Sequence, residues 1–516
     1  MPVKKLNFSI APLNDNPATV SANGASVTNC FGSKNGFPTI KFTIPAQDLL
    51  LDTSCLYLSG QLIVKRPDDT LAQISLADRP AAVTAYNVEN DVGTDMNVNL
   101  NMSNWNGVSS VIDKVVIQSK KTQAELSSVI NYSIFDALKL GYSNNEDDYK
   151  QSPMVRNLAT GVNHGKTCRH LINNPNVASI HTDAISSKWY GNFFSCKIDV
   201  ALLQNQVLHL GNGFVGGLII TLHLAPDSSV FHTRHRRTDL ISATPQVSAN
   251  INGASYCLKN VRLEGKYLIP TKQDLQQYNP NVVLNSRVNL MNDIVSSNNS
   301  NVYTPQLSSV KSVVNVFLDD DQQNNYEQNT NNFRNPLGLI GYLQAKNNIR
   351  FPYDYQTKAV PNSQSLVESN VTGQVAFVTA AGNTGLCEPA HSLGDCEVRR
   401  QFMKAVMGKI PKYHSATYAL TAEAIKHDWD SDNAPTTSKG TGLNTSPDLM
   451  GVGCDYMNGI GQTQNYVNQD YELKLDSAIN SGSASQPAQR SNKIVIQESF
   501  LRNFASMNLQ SLVKQQ

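Results

Sequence analysis

Apolar and polar residues alternate one by one in short runs along this chain, and two such runs lie close together between Trp189 and Pro226. Phe194, Cys196, Ile198, Val200 and Leu202 fall on one face of the first run, with Ser195, Lys197 and Asp199 on the other. In the second, Leu218, Ile220, Leu222 and Leu224 oppose Ile219, Thr221 and His223. A period of two over this length predicts half-buried β-strands. Gly211, Gly213, Gly216 and Gly217 lie between the runs, where tight reversals and bulges need backbone freedom. The stretch predicts the closing strands of a β-sandwich.

The same period recurs on both sides of it. Ile40, Phe42 and Ile44 alternate with Lys41 and Thr43 in the run ending at Pro45. Leu56, Leu58, Leu62 and Val64 share a face in 52–67, and Val115 and Ile117 mark a short strand in 111–119. After Pro226 the pattern breaks, and 238–253 is polar. Strands resume over 254–270 through Leu258, Val261, Leu263 and Tyr267, then at 310–318, 338–343, 374–379, 471–475 and 493–496. Residues 1–38 lack periodicity and predict an extended arm. Helical spacing is rarer. Thr122 and Glu125 fit a capping box, Leu126, Ile130, Ile134 and Leu138 follow every four residues, and Gly141 suits a C-terminal cap. Shorter helices are expected at 395–407 and 416–429. The division predicted is an N-terminal arm (1–38), a first β unit (39–230), a linker (231–253) and a second β unit with the C-terminal segment (254–516).

Composition agrees with two large cores. The 516 residues are 40% hydrophobic, and the length exceeds what one ordinary domain holds. Only 16% are charged, against about 25% in typical globular proteins. Net charge is +1, so the whole chain offers no basic excess for a phosphate backbone. Met1–Ile10 has no apolar core of a signal peptide, and no run approaches the roughly 18 apolar residues of a membrane span. The eight cysteines are scattered, with no Cys-x-x-Cys pair. This predicts reduced, core-packed thiols made in a reducing compartment, without disulfide staples.

Candidate chemistry is sparse. Gly161–Thr167 ends in Gly-Lys-Thr, but three residues separate Gly161 from Gly165 where a phosphate-binding loop needs four. Cys387, His391 and Cys396 with Asp395 lack the closely spaced ligand pairs of structural zinc. Asp319, Asp320 and Asp321 lack the alternating ligands and central glycine of a calcium loop. Neither a nucleophile elbow nor a His-Glu-x-x-His helix occurs. The expectation is therefore no enzyme, with no catalytic, cofactor-binding or metal residues and no cofactor. The one dense basic cluster is His232, Arg234, His235, Arg236 and Arg237. It is the weak candidate for nucleic-acid contact, against a solvated hinge between the two units.

Four segments together resemble a known family. Phe42–Pro45 followed by Leu51-Asp52 and Leu56-Tyr57-Leu58 is one, and the strand-then-helix pattern of 111–140 is the second. Leu202–Pro226 and Tyr256–Leu263 complete the set. Their order resembles the double jelly-roll major capsid proteins of icosahedral double-stranded DNA viruses. The virophage, polinton-like and adintovirus group is nearer, and the nucleocytoplasmic large DNA viruses are more distant.

The resemblance implies a mainly β protein of two tandem jelly-roll β-sandwiches, with long loop insertions and a few short helices. It implies a homotrimer of pseudo-hexameric outline tiling a viral shell, with loops 68–105, 144–184 and 355–395 forming the outer tower and inter-subunit clasp. Expected partners are further copies of itself, neighbouring capsomers, and minor capsid and penton proteins. The expected location is the virion. Two alternatives stand beside it: a carbohydrate-binding or carbohydrate-active β-sandwich protein, and a vertex (penton-like) structural protein.

Overall fold

The computed structural model describes residues 4–14, 19–20, 26–27, 31–33, 37–65, 100–102, 107–136, 192–198, 200–203, 207–211, 215–233, 255–271, 273–274, 281–294, 300–303, 310–319, 339–351, 357–358, 376–378, 384–386, 405, 451–456, 464–477 and 490–503. The alternating runs become antiparallel strands, and the chain is mainly β. Strands are numbered in chain order.

Strands β4 (Thr39–Ile44), β7 (Ile112–Ser119), β8 (Glu125–Val129) and β11 (Leu218–Leu224) form a four-stranded sheet in the order β4-β11-β7-β8. The register puts Ile220 between Phe42 and Ile117, so three apolar side chains from separate parts of the chain meet in one row. All three are fully buried.

A five-stranded sheet lies against it. It holds β1 (Lys4–Ile10), β13 (Ser255–Ile269), β5 (Leu50–Lys65) and β10 (Val207–His209) in that order, with β9 (Asn192–Lys197) also on β5. Leu51, Leu58 and Leu62 of β5 share one hydrophobic core with Ile40, Phe42, Val115 and Leu222 of the other sheet. The long strand β5 changes its inward face partway. Leu51 and Thr53 are buried near its start and Leu56, Leu58 and Leu62 later, with a register irregularity against β13 between. A bulge of this kind adds residues to one strand and swaps its faces. The small pair β6 (Leu100–Met102) and β12 (Phe231–Thr233) and the hairpin β2 (Thr19–Val20) with β3 (Ser26–Val27) complete the first half.

The second half wraps in a regular order. Sheet one runs β14 (Asn281–Ile294), β24 (Arg490–Asn503), β16 (Val310–Asp319), β22 (Gly451–Asp455). Sheet two runs β15 (Ser300–Tyr303), β23 (Tyr471–Ser477), β17 (Leu339–Lys346), β18 (Ile349–Phe351), with β19 (Thr357–Lys358) on β17. Leaving aside β19 and the hairpin β20 (Ala376–Val378) with β21 (Thr384–Leu386), the eight strands read 1-8-3-6 and 2-7-4-5. That interleaving of two antiparallel sheets is a jelly roll. Asn315 on β16 donates to the Tyr471 hydroxyl on β23 at 2.7 Å, which ties the two sheets through their shared interior. The first half repeats part of the scheme. Leaving aside β1–β3, the pair β6 and β12, and β13, its first, last and third strands are neighbours (β4-β11-β7), and its second strand β5 pairs with the penultimate β10.

Three expectations are corrected. The helix expected from Thr122 is absent where it should start: Gln123 is in the left-handed region at φ 59°, and β8 follows. The Thr122 hydroxyl accepts from Ala124 N at 3.3 Å, so it closes a hairpin turn instead of capping a helix. Among the described residues of the expected helix, helical backbone is found at 132–136. Pairing with β7 wins because it buries Leu126 and Val129 on the sandwich core, whereas Ile130, part of the helical spacing, is 44% exposed. The strand expected over 254–270 as the start of the second unit is β13, and it pairs with β5 and β1 in the first unit's sheet. It therefore shares a sheet with β9, through β5, while β11 belongs to the opposite sheet. The apolar face of β13 fits a sheet in either unit, so its period alone could not choose. Third, Cys257 is disulfide-bonded, against the expectation of reduced thiols, while Cys55 and Cys196 are free. Scattered cysteines carry no spacing signal, because tertiary folding alone brings a pair together.

Candidate functional site

The side chains with the most developed polar geometry sit where the first half closes. Pro226 ends the run after β11, and a single helical turn, α1 (Asp227–Val230), begins at once. Asp227 is buried there. One carboxylate oxygen accepts from Tyr256 N at 2.9 Å and the other from the Ser33 hydroxyl at 3.0 Å. The Tyr256 hydroxyl donates back to Ala225 O at 2.6 Å, and its ring meets Phe231 edge-on at 6.0 Å. Burial first, then the nearby Asp227 and Asp113 carboxylates, push the Tyr256 phenol well above its usual range. It therefore stays a protonated donor. The cluster joins residue 33, the end of β11 and the start of β13, three segments distant in sequence.

Several other buried polar groups are likewise engaged. The Ser109 hydroxyl donates to Asp136, which also accepts from the Tyr132 hydroxyl at 3.5 Å. Cys196 is buried, and burial followed by Asp136 pushes its thiol far up, so it is not a thiolate nucleophile. Gly211 N donates to Nδ1 of the buried His209 at 2.9 Å, which places the ring proton of the neutral tautomer on Nε2. In the second half the Tyr456 and Tyr466 hydroxyls lie 2.5 Å apart. Lys346 stands over the Tyr466 ring at 5.2 Å. These arrangements fix segments in place and present no nucleophile beside an activating base.

Among the described residues no three His, Cys, Asp or Glu side chains converge to hold a metal ion. Asp319 ends β16, while Asp320 and Asp321 lie outside the described residues, as do Gly161–Thr167 and Cys387, His391, Asp395 and Cys396. Of the basic cluster, His232 lies in β12; Arg234, His235, Arg236 and Arg237 are outside the described residues. So are the expected helix at 416–429, most of that at 395–407, and most of the loops 68–105, 144–184 and 355–395. No helix is long and apolar enough to cross a membrane among the described residues.

No family model and no curated protein matches the chain. Solved structures do. The chain is similar over almost its whole length to viral major capsid proteins. PBCV-1 VP54, fitted into a reconstruction of the virophage Sputnik, shares 9% identity, with 97% of this chain and 95% of that chain covered at a TM-score of 0.43. For the mavirus major capsid protein the values are 8%, 98%, 92% and 0.40. For the Faustovirus major capsid protein they are 10%, 98%, 91% and 0.44.

Sequence reasoning missed the Asp227 cluster. Asp227 and Tyr256 stand 29 residues apart in no motif. The only available signal was an acidic residue directly after Pro226, a common opening for a helical turn.

Proposed function

We propose that this chain is a major capsid protein whose copies associate as trimers and tile an icosahedral viral shell. The observation that carries the reading is the 1-8-3-6 and 2-7-4-5 wrapping of the second half, with the first half sharing the first-last-third neighbours β4-β11-β7 and the second-penultimate pair β5-β10 once β1–β3, β6, β12 and β13 are set aside. Two similarly wrapped sandwiches in one chain give three chains six comparable blocks, the number that fills a hexagonal lattice. Jelly rolls close two sheets over one core, so such blocks meet through loops and faces. The described polar clusters fit this role, since each pins segments together. On this reading the site of function is the surface between copies, the location is the virion, and minor capsid and penton proteins contact the assembled capsomers. The basic cluster starts at His232 in β12 and precedes β13 in the chain, so it belongs to the first unit and not to the stretch joining the two.

Solution mass combined with negative-stain imaging of the full chain tests the proposal. The expected result is a particle of three times 56.5 kDa with a hexagonal outline. A stable monomer at micromolar concentration would overturn it.

A further inference from the structure

Strand β1 occupies the outer edge of the five-stranded sheet and pairs with β13 over its full length, from Lys4↔Ile269 to Ile10↔Leu263. Its side chains contribute little burial. Lys4, Lys5, Leu6, Asn7 and Ser9 are exposed, and only Phe8 and Ile10 are half-buried. One anchor stands out. Phe8 stacks on Tyr267 with ring centroids 4.2 Å apart, and its ring fills the place of a side chain at Gly265, where a Cβ would come within 2.5 Å of it. The seat on β13 is therefore shaped for a strand with a large ring at this register position.

The connection to the rest of the chain is short and stiff. Leu13 N donates to Lys41 O at 2.6 Å. The Asn14 side chain donates to Thr39 O at 2.7 Å and accepts from Lys41 N at 3.1 Å. These bonds pin the chain to β4 immediately after Pro12. Between that pin and β1 lie only Ala11 and Pro12, and proline restricts both its own φ and the residue before it. A short, stiff hinge cannot absorb strain by loop rearrangement, a condition that favours exchange of the terminal element between copies.

We infer that β1 is an exchangeable arm that sits on β13 of a neighbouring copy in the assembled protein; this presupposes the self-association proposed above. Exchange repeats every contact of the seat, so its cost is confined to the hinge, and neighbours in an assembly supply a high effective concentration. The seven residues of β1 reach roughly 23 Å, enough to cross a subunit boundary. Lys4 and Lys5 put charge on the strand that forms the edge, which opposes the addition of a further strand outside it.

The test uses two differently tagged full-length chains, one carrying Lys5→Cys and the other Leu268→Cys, which are register partners. They are co-expressed, assembled, oxidised and run on a denaturing gel. Lys4→Cys with Ile269→Cys samples the alternate pairing geometry. Exchange predicts a reducible species carrying both tags in at least one pairing, absent when either variant is expressed alone. If assembly is intact, both mixed pairings fail to cross-link, and a Lys5→Cys/Leu268→Cys double variant closes within its own chain, the arm stays at home and the inference is overturned while the capsid reading stands. If the unmodified chains do not associate, both are overturned.

Discussion

Replacing Asp227 by alanine should be among the more damaging single changes in the first half. The substitution removes two hydrogen bonds and strands the Tyr256 amide, whose donor then has no carboxylate oxygen at 2.9 Å. Hydrogen bonds to a charged acceptor contribute about 1.5–3 kcal/mol, and a buried donor left unpaired costs about 1–3 kcal/mol as part of the same loss. Ser33 is only partly buried and can turn to water, so most of the loss falls at Tyr256. The expected cost is about 2–4 kcal/mol. Asp227→Asn keeps an oxygen for the Tyr256 amide and should lose about half as much or less. Tyr256→Phe leaves the ring packing on Phe231 but deprives Ala225 O of its donor, for about 1–1.5 kcal/mol. Thermal unfolding followed by intrinsic fluorescence reads these differences. At about 2–4 °C per kcal/mol for a unit of this size, Asp227→Ala should lower the midpoint by roughly 4–16 °C. Hydrogen exchange at the peptide containing Tyr256 should quicken in parallel. A midpoint within about 2 °C of wild type would refute the reasoning.

Three further outcomes follow from the same structure. Burial lowers the His209 pKa below its ordinary 6.5, outweighing the raising influence of Asp48. The folded state therefore holds this ring neutral while the unfolded chain protonates it first; the stabilising difference is full above pH 6.5 and is lost as pH falls through the folded value. His209→Asn, whose side-chain oxygen can still accept from Gly211 N, should flatten the loss of thermal midpoint between pH 7 and 5, and identical pH profiles would contradict this. Gln344 is buried with both side-chain polar atoms unpartnered. Gln344→Met removes that desolvation cost at similar volume and should stabilise by about 1–2 kcal/mol, read as a rise in denaturant midpoint. Gly217 has φ +80°, and a Cβ there would lie 2.7 Å from Ile44 O. Gly217→Ala should cost at least about 1–2 kcal/mol in the same assay, more than replacement of an exposed residue in β1.

Strands with one apolar face and a polar opposite face were legible in the chain. Ile40, Phe42 and Ile44, then Leu218, Ile220 and Leu222, all point into the first core as their alternation predicts. The same alternation runs through β1 (Leu6, Phe8, Ile10) and β14 (Val282, Leu284, Val288, Leu290), yet sequence reasoning missed both: β1 lies in a stretch rich in glycine, asparagine and serine, and Val283 and Met291 interrupt the polar face of β14. The helix predicted from Thr122 shows the converse error: Leu126, Ile130 and Ile134 keep a spacing of four, but β8 ends at Val129 and leaves Ile130 exposed. The site was less legible than the fold. Asp227, Ser33 and Tyr256 belong to no local pattern, and their chemistry exists only through proximity.

What the sequence determined by itself was the class of structure: antiparallel β, broken by glycine-rich reversals, in two stretches of strands. Period-two burial is a local property, written in neighbouring residues, and local physics is enough to read it. Which strand lies beside which was decided only in three dimensions. β13 joined the first unit, β11 inserted between β4 and β7, and β24 inserted between β14 and β16. Each choice depends on backbone hydrogen bonds and core contacts between residues far apart in the chain. Alternation fixes which face of a strand is buried, and it is the same for every partner the strand could have.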